Sequence, residues 1–484
     1  MKKFFKTTLF FAGQLFCGVM SITDAQAQKE YSNWYFGNQA GVSFTSGNPQ
    51  TITGSAMTTY EGCSSISNPQ GQLLMYSNGE AIWDANHQVM PNGNSLGSHN
   101  SASQGVVILR APGSSTIYYV FTVDAIDNNL AGGLRYSVVD MSLRGGLGDV
   151  TATKAVRLPT PTTTGKVTEK LTAALHANGR DYWVVVHGWE SNNFFSFLLT
   201  STGINSVPVV SAVGPVHQGG GSFFGAANAV GYMKISPNGA KLALAQRDSQ
   251  FELYDYNNNS GQVSNYLSLR GTSSFHYGVE FSPDNSRLYT TMYSDGGFDT
   301  NVYQYNLQAG SGTAIQNSRQ IVASIPGLSS AIQAASDGKL YLSALNKSYL
   351  NSIEYPNNLG NACGFQQNSV ALGIKLGQNG LPNQPNVASV IMKNIAPSAM
   401  SRLKIYPNPT KEFIVLSISD SEIRNMDKIS LIDMAGKTVA EYKVAELTVI
   451  KGEFIIPVNA IARGEYIVKA ISPNESVTKL VVLE

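Results

Sequence analysis

The sequence predicts an all-β protein, in which a large β-propeller of about seven blades is followed by a small β-sandwich. Three observations support this prediction. Short runs of apolar, β-branched and aromatic residues alternate with turns that contain Gly or Asn, a pattern typical of β-hairpins. Such hairpins recur along most of the chain, as in repeat architectures. The density of charged residues then changes abruptly near residue 400.

The composition favours a folded, β-rich protein and argues against binding to nucleic acid. The chain has 484 residues with 33 Lys and Arg against 32 Asp and Glu, so its net charge is +1. Charged residues make up 13% of the sequence, about half of the roughly 25% in an average soluble protein. Because there is no excess of basic residues, the counterion release that drives nucleic-acid binding is not expected.

The first 27 residues have the pattern of a secretory signal peptide. A basic start at Lys2 and Lys3 is followed by a mostly apolar stretch over 7–20. Ala25-Gln26-Ala27 then provides the small residues that signal peptidase requires, so we expect cleavage between Ala27 and Gln28. No later apolar run reaches the roughly 18 residues of a membrane-spanning helix, so no transmembrane segment is expected in the mature chain.

The residues from 28 to 394 are predicted to form the propeller. Its repeat consists of a polar turn between two short strands, and copies begin at Ser67, Ser236, Ser282 and Ser336. The candidate units are 61–90, 101–141, 166–205, 223–266, 275–310 and 327–356. A seventh unit is expected from 363–390 together with N-terminal strands over 34–36 and 42–44, so that the first strands complete the last blade. A β-sandwich or a solenoid is the alternative for this region.

Two cysteines remain after the signal peptide. Cys63 and Cys363 form an even set in an exported protein, which permits one disulfide. They would belong to neighbouring units if the first strands complete the last blade. The alternative is a pair of buried free thiols, which behave as small apolar side chains.

The C-terminal region has ordinary charge density and its own strand pattern. Residues 395–400 are predicted to form a linker, and the following 84 residues contain 22 charged ones. About seven short strands in 401–484 predict an Ig-like β-sandwich.

Four short segments of this small domain form a recognisable motif set: 405–410, 432–437, 463–468 and 478–482. The motif residues are Tyr406, Pro407, Asn408, Pro409, Gly436, Gly464 and Tyr466. In these segments, and in their order, the domain resembles the type A C-terminal sorting domain of type IX secretion cargo. The resemblance implies that the outer-membrane machinery of that system is a partner and that the protein reaches the cell surface or the extracellular space. Whether the protein is then anchored or released stays open.

Several segments of the large domain carry a second resemblance: 33–37, 77–84 with His87 and 90–93, 277–283, 362–364 and 380–383. In these segments the domain is similar to propeller-type regions of surface proteins associated with gliding motility. This resemblance implies architecture and location more than chemistry.

Candidate ligand-binding residues cluster near the middle of the chain. Trp189 and Glu190 follow a strand that contains His187, and a Trp beside polar groups can stack on a sugar ring. His217 and the aromatic pair Phe223 and Phe224 belong to a glycine-rich loop. We therefore expect a surface propeller that binds a glycan or a protein partner, while packing within a blade is the alternative role for these residues.

An enzyme and a passive scaffold are the rival interpretations. A polysaccharide hydrolase or lyase would use Glu280, His276 and His187 near the central channel, although fold analogy is its only basis. A cell-envelope scaffold would need neither ligand nor turnover. The six histidines show no metal-ligand spacing, so no metal site or other cofactor is predicted. For Ca²⁺, Asp295 with Asp299 and Asp124 with Asp127 could supply oxygen ligands, but turn formation is the alternative.

Overall fold

The computed structural model describes residues 29–221, 225–269, 275–294, 299–385, 403–418, 428–433, 438–450, 453–471 and 476–484. The chain divides into two compact units, 1–391 and 392–484. The predicted signal peptide with its Ala27–Gln28 cleavage site and the predicted linker 395–400 lie outside the described residues. Within the described part, no helix is both long and apolar enough to span a membrane.

The described residues of the large unit form seven antiparallel sheets, and the first four cover its N-terminal half. Sheet 1 contains β1 (Asn33–Phe36), β2 (Ala40–Ser43) and β3 (Gln50–Thr51). Sheet 2 contains β4 (Ser64–Ser67), β5 (Leu73–Ser77) and β6 (Ile82–Asp84). Sheet 3 contains β7 (Val106–Arg110), β8 (Ile117–Val123), β9 (Leu134–Asp140), β10 (Asp149–Val150) and β11 (Val156–Arg157). Sheet 4 contains β12 (Val167–Leu175), β13 (Tyr182–Gly188), β14 (Ser191–Thr200), β15 (Gly203–Ile204) and β16 (Val209–His217).

Three four-stranded sheets complete the large unit. Sheet 5 contains β17 (Met233–Ile235), β18 (Lys241–Ala245), β19 (Phe251–Asn257) and β20 (Gln262–Ser268). Sheet 6 contains β21 (His276–Phe281), β22 (Arg287–Tyr293), β23 (Thr300–Asn306) and β24 (Gln320–Ile325), with helix α1 (Gly312–Asn317) before β24. Sheet 7 contains β25 (Ile332–Ala334), β26 (Leu340–Leu342), β27 (Tyr349–Ile353) and β28 (Phe365–Ala371).

Each sheet packs on the next through its first strand. Contacts join β1 to β4, β4 to β7, β7 to β12, β12 to β17, β17 to β21 and β21 to β25. All residues of β4, β17, β21 and β25 are buried, whereas the last strands β20 and β28 are mostly exposed. The strands thus become more exposed from the first to the last strand of a sheet. Because almost all regular structure in the described residues is β-strand, the prediction of an all-β protein is confirmed.

The sequence repeat marks the turn between the first and second strands of a sheet. The Ser236 hydroxyl accepts hydrogen bonds from the backbone N–H groups of Ala240 and Lys241, at 3.2 and 2.9 Å. The Ser282 hydroxyl accepts from Arg287 in the same way, at 2.8 Å. A short polar side chain thus closes the hairpin by bonding to the backbone, which explains why Ser begins these copies.

The segment Asn379–Gln384, called here the central segment, joins several first strands. The Asn383 amide donates to the Leu171 carbonyl at 2.7 Å, and its backbone N–H donates to Cys63 at 2.7 Å. Asn379 bonds to the backbone of Tyr60 and Ala331. One stretch of six residues is therefore held by the beginnings of sheets 2 and 7 and by strand β12 of sheet 4.

Two expectations about the closure of the large unit are wrong. The N-terminal strands do not join 363–390 in one sheet: β1, β2 and β3 form their own sheet, and β28 pairs with β27 as the last strand of sheet 7. The predicted disulfide is also wrong, because Cys63 and Cys363 are both free and buried. Cys63 precedes first strand β4, whereas Cys363 precedes outer strand β28, and the two thiols belong to different apolar clusters.

The small unit has two four-stranded sheets around one apolar core. One sheet has the order β29 (Leu403–Tyr406), β30 (Phe413–Ile418), β34 (Glu453–Pro457), β33 (Thr448–Ile450). The other has the order β32 (Thr438–Lys443), β31 (Lys428–Asp433), β35 (Gly464–Ile471), β36 (Ser476–Leu483). Buried residues from both sheets, among them Ile414, Leu431 and Val481, form the core.

Most of the predicted sorting motif lies where the two sheets of the small unit meet. The Asn408 side chain accepts a hydrogen bond from Val482 at 2.8 Å, and Thr410 pairs with the end of β36. The bonds from Tyr406 to Pro407 and from Asn408 to Pro409 are cis. The Tyr466 hydroxyl donates to Ala462 at 2.8 Å, Gly464 begins β35, and Gly436 lies outside the described residues. The motif therefore ties the C-terminal strand to the first sheet of its unit.

Candidate functional site

Four of the predicted site residues lie together at the end of β13. His187 is near the end of that strand, Trp189 and Glu190 form the turn to β14, and His217 ends β16 opposite Ser191. The Glu190 N–H donates to the His217 carbonyl at 2.8 Å. Trp189 is only 6% exposed, because Leu130 and Ala229 cover it. Phe223 and Phe224 lie outside the described residues.

The two histidines form a buried stack beside Glu252. Their ring centroids are 3.6 Å apart, and both side chains are fully buried. His217 Nε2 lies 3.1 Å from Glu252 Oε2, while His187 Nδ1 lies 2.9 Å from the Gly188 carbonyl. Burial lowers the pKa of both rings well below 6.5, and the nearby Lys170 charge acts in the same direction. Both rings are therefore neutral near pH 7.

Lys170, a charged neighbour of this stack, binds the backbone of residues 228–230. Its buried ammonium donates to the carbonyl oxygens of Asn228, Ala229 and Val230, at 3.0, 2.8 and 3.2 Å. All three donors of the ammonium are therefore used within the protein. Burial lowers the pKa of Lys170 to about 7, although Glu169 and Glu252 act against this shift.

Glu280 and His276 lie on β21, and both residues are buried. The Glu280 carboxylate accepts backbone hydrogen bonds from Phe281 and Ala334, at 2.9 and 3.1 Å, and lies 3.5 Å from Lys234 Nζ. His276 is 1% exposed and stacks on Phe251. Burial lowers the pKa of His276 to about 4. Glu280 thus has a different set of partners from the stack that contains His187 and His217.

Sequence reasoning missed a second group of ionisable residues, of which all but the partly buried Arg247 are buried. Glu61, Glu169, Arg247 and Tyr277 lie at the end of the large unit where the first strands begin, called here the strand-start face. Glu169 accepts three hydrogen bonds, from the N–H and hydroxyl groups of Ser103 and from the Ile126 N–H, at 2.9, 2.7 and 2.9 Å. Glu61 is 6% exposed.

The electrostatics of the strand-start face centre on Glu61. Burial and then the charge of Glu169 raise the pKa of Glu61 well above its ordinary value. The Arg247 guanidinium and the nearby Tyr277 hydroxyl act in the opposite direction. A buried carboxylate with a displaced pKa and a cationic neighbour is a candidate for ligand binding or proton transfer. In the sequence, the only sign of this group is that a charged residue occurs near the start of a strand in a charge-poor region.

Two of the four aspartates considered for Ca²⁺ accept hydrogen bonds from the protein. Asp124 accepts hydrogen bonds from Ala125, Asn128 and Gly132, and Asp299 accepts from the Gly327 N–H. Asp127 lies in a short 3₁₀ turn, and Asp295 lies outside the described residues. No group of three His, Cys, Asp or Glu side chains suited to a metal ion occurs among the described residues.

The comparisons with known proteins bear mainly on the small unit. Residues 404–484 match the family described as the secretion system C-terminal sorting domain. This match indicates export through the type IX secretion system to the cell surface or the extracellular space. A search of curated proteins gave no match.

Three solved structures are similar to part of this chain. A candidate 6-phosphogluconolactonase from Bacteroides uniformis is 12% identical with a TM-score of 0.45, over 71% of this chain and 98% of that chain. A second one, from Bacteroides fragilis, is 10% identical with a TM-score of 0.44, over 72% and 97%. A protein of unknown function from Desulfotomaculum acetoxidans is 12% identical with a TM-score of 0.37, over 73% and 89%. At these TM-scores, the names of those proteins say nothing about the activity of this chain.

Proposed function

We propose that this protein is an exported β-propeller of about seven blades that binds a glycan or a protein partner through its strand-start face. Seven sheets that contact one another through their first strands support the propeller. The sorting domain supports delivery to the outside of the cell. A relation to gliding-motility-associated surface proteins belongs to the same proposal and has only the sequence resemblance behind it.

The observation that carries the binding site is the burial of Glu61 and Glu169 beside Arg247 in a charge-poor unit. Removing a carboxylate from water costs free energy, so a fold gains nothing from placing two of them together. Residues kept at such a cost are often functional. Trp189 and the turn held by Lys170 lie at the same end of the unit, next to the start of β12.

A glycan array and a panel of surface proteins, probed with the full mature chain, test this proposal. We expect a partner whose affinity falls at least tenfold in Glu61→Gln, which removes the charge and keeps the shape. Glu446→Gln, an exposed residue of the small unit, is the matched control and leaves binding unchanged. Absence of any partner, or equal binding by Glu61→Gln and the wild type, would overturn the proposal.

A second candidate function is the cleavage of a polysaccharide. One observation favours it: the charge of Glu169 helps burial to raise the pKa of Glu61. Glycosidases use a carboxylic acid of raised pKa beside a second carboxylate, so the two residues have the chemistry that such a reaction requires. Release of oligosaccharides that stops in Glu61→Gln would support this function. Release that continues in Glu61→Gln but stops in Glu280→Gln would instead support the predicted role of Glu280.

A further inference from the structure

A pocket lies at the end of the large unit opposite the strand-start face. It has a volume of about 210 Å³ and is lined by residues that include Glu30, Tyr31, Arg110, Gly113, Arg180 and Tyr182. The turns after first strands β7 and β12 form its sides, together with the residues that precede β1. Leu175 of this pocket is six residues along β12 from Glu169, which is about 20 Å at the rise of a strand. The pocket, called here the basal pocket, is therefore separate from the strand-start face.

Glu30 is the buried polar group of the basal pocket. The residue is 3% exposed, and its Oε1 lies 3.2 Å from Arg110 Nη1. That oxygen receives no hydrogen bond of good geometry. Burial raises the pKa of Glu30, and the Arg110 charge offsets part of this shift. Because a buried acceptor without a hydrogen-bond donor is unfavourable, a ligand that donates a hydrogen bond to Glu30 would be favoured.

The walls of the basal pocket suit a ring-shaped ligand. Tyr182 provides an aromatic side, and its pKa is raised to about 12 by burial and by the charge of Glu30. Gly179 has a φ of 70°, and a Cβ added there would meet no atom within 4 Å. The turn therefore leaves room beside the aromatic ring. The volume lies below the roughly 300 Å³ of typical ligand pockets, so it fits one small ring.

The charges of the basal pocket favour a neutral ligand. Arg110 keeps 35% of its side chain exposed and has donors beyond the ion pair with Glu30. Arg180 is 62% exposed and is paired with Asp181 at 3.0 Å. An anion would be repelled by Glu30, and a cation would be repelled by the two guanidinium groups. A ligand with adjacent hydroxyl groups can donate to the carboxylate and accept from a guanidinium at the same time.

We propose that the basal pocket binds one neutral sugar ring of a saccharide. Its hydroxyl groups donate to Glu30 and accept from Arg110, and one face of the ring packs on Tyr182. This site does not depend on the strand-start face, and the sugar that occupies it can belong to a different glycan.

Titration of the full mature chain with neutral sugars and their short oligomers, such as glucose, galactose, mannose and N-acetylglucosamine, tests the basal pocket. Calorimetry or ligand-observed NMR provides the readout. We expect binding by at least one sugar, with an affinity that falls at least tenfold in Glu30→Gln and in Gly179→Asn. Asn tolerates a positive φ, so the second variant fills the pocket while keeping the turn. Thermal unfolding checks that both variants are folded.

Three outcomes would overturn this assignment. The first is that no neutral sugar binds. The second is that phosphate or an acidic sugar binds and Glu30→Gln strengthens this binding, which would make the pocket an anion site. The third is that a neutral sugar binds and is lost in Glu61→Gln but not in Glu30→Gln. In that case the ligand belongs to the strand-start face, and the proposed function stands without the basal pocket.

Discussion

At the scale of single residues, the stacked imidazoles of His187 and His217 are the clearest titratable feature of the large unit. Both are buried, both have a pKa lowered by burial, and Glu252 and Lys170 are their charged neighbours. A neutral histidine that cannot accept a proton in the folded state makes stability depend on pH. In the unfolded chain the same rings bind protons below a pKa of about 6.5.

We predict that acid destabilises the protein through these two rings. Because their folded-state pKa values are lowered, the stability they contribute is present above pH 6.5 and is lost as the pH falls below it. The loss amounts to at most about 2 kcal/mol for each ring at pH 5. Glu252, Glu61 and Glu30 act in the opposite direction, since burial raises their pKa values, so the contribution of the two rings is isolated by comparison with a variant that lacks one of them. Urea unfolding at pH 7.5 and pH 5 measures the difference.

The matched variant is His187→Phe, which keeps a flat ring next to His217 and Phe194. We expect the free energy of unfolding to depend less on pH in this variant than in the wild type. An identical pH dependence in both proteins would show that other groups cause the acid sensitivity.

The residues around the end of β13 could be predicted from the sequence, but their burial could not, and the strand-start face was missed. Trp189 and Glu190 follow a strand, which suggests an exposed turn, yet Leu130 and Ala229 come from distant segments and cover the indole. Glu61 and Glu169 are 108 positions apart in the numbering, so only the folded chain brings their charges together. Local patterns carry no information about such long-range neighbours.

At the scale of elements, the turn Ala227–Ala229 depends on one side chain. The carbonyl groups of Asn228 and Ala229, and that of the following Val230, accept from the Lys170 ammonium, which comes from β12 of the preceding sheet. The Asn228 side chain also accepts a hydrogen bond from the backbone of Asp248 at 3.2 Å. This turn therefore links sheets 4 and 5 near the strand-start face.

We predict that Lys170→Met destabilises the protein by about 3 kcal/mol. It removes the ammonium donor from the buried carbonyl groups of Asn228 and Ala229 and one of two donors from the Val230 carbonyl, which also accepts from the Arg247 N–H. Met has a similar length and removes only the charge and the hydrogen bonds. Lys241→Met is the control, since that lysine is 41% exposed and should change stability by less than about 0.5 kcal/mol. Denaturant unfolding near pH 6 compares the three proteins. Equal stability of Lys170→Met and the wild type would contradict the structural role of the ammonium.

The order of the strands along the chain was easier to predict from the sequence than the sheet to which the N-terminal strands belong. The repeat located the turns after β4, β17, β21 and β25, because Ser and Asn side chains fix a hairpin locally. The partner of the N-terminal strands was predicted wrongly, since either arrangement satisfies the same alternation of residues. The choice of partner depends on contacts between the two ends of the large unit, which no local pattern specifies.

At the scale of the whole molecule, the central segment links sheets that are far apart in sequence. Asn383 is 1% exposed and bonds to Cys63, Ser64 and Leu171, while Gln384 donates to the Tyr31 carbonyl at 3.1 Å. A residue that connects several sheets affects the stability of all of them together.

We predict that Asn383→Ala lowers the free energy of unfolding by about 2 kcal/mol, because the buried Leu171 carbonyl loses its donor. The transition should remain a single cooperative step if the sheets unfold together. Asn259→Ala, at an exposed turn, is the control and should have little effect. A loss confined to part of the structure, seen as two transitions, would contradict the linking role of the central segment.

The two units have separate apolar cores, because each apolar cluster contains residues of one unit only. The core of the small unit consists of residues between Ile405 and Leu483, and the clusters of the large unit end at Leu381.

We therefore predict that a chain ending at residue 400 folds but stays in the periplasm, since it lacks the sorting domain. Cell fractionation and protease treatment of intact cells measure its location, and thermal unfolding of the purified protein checks its fold. Delivery of the shortened chain to the cell surface would refute the sorting role, whereas an unfolded chain in the periplasm would refute the independence of the large unit.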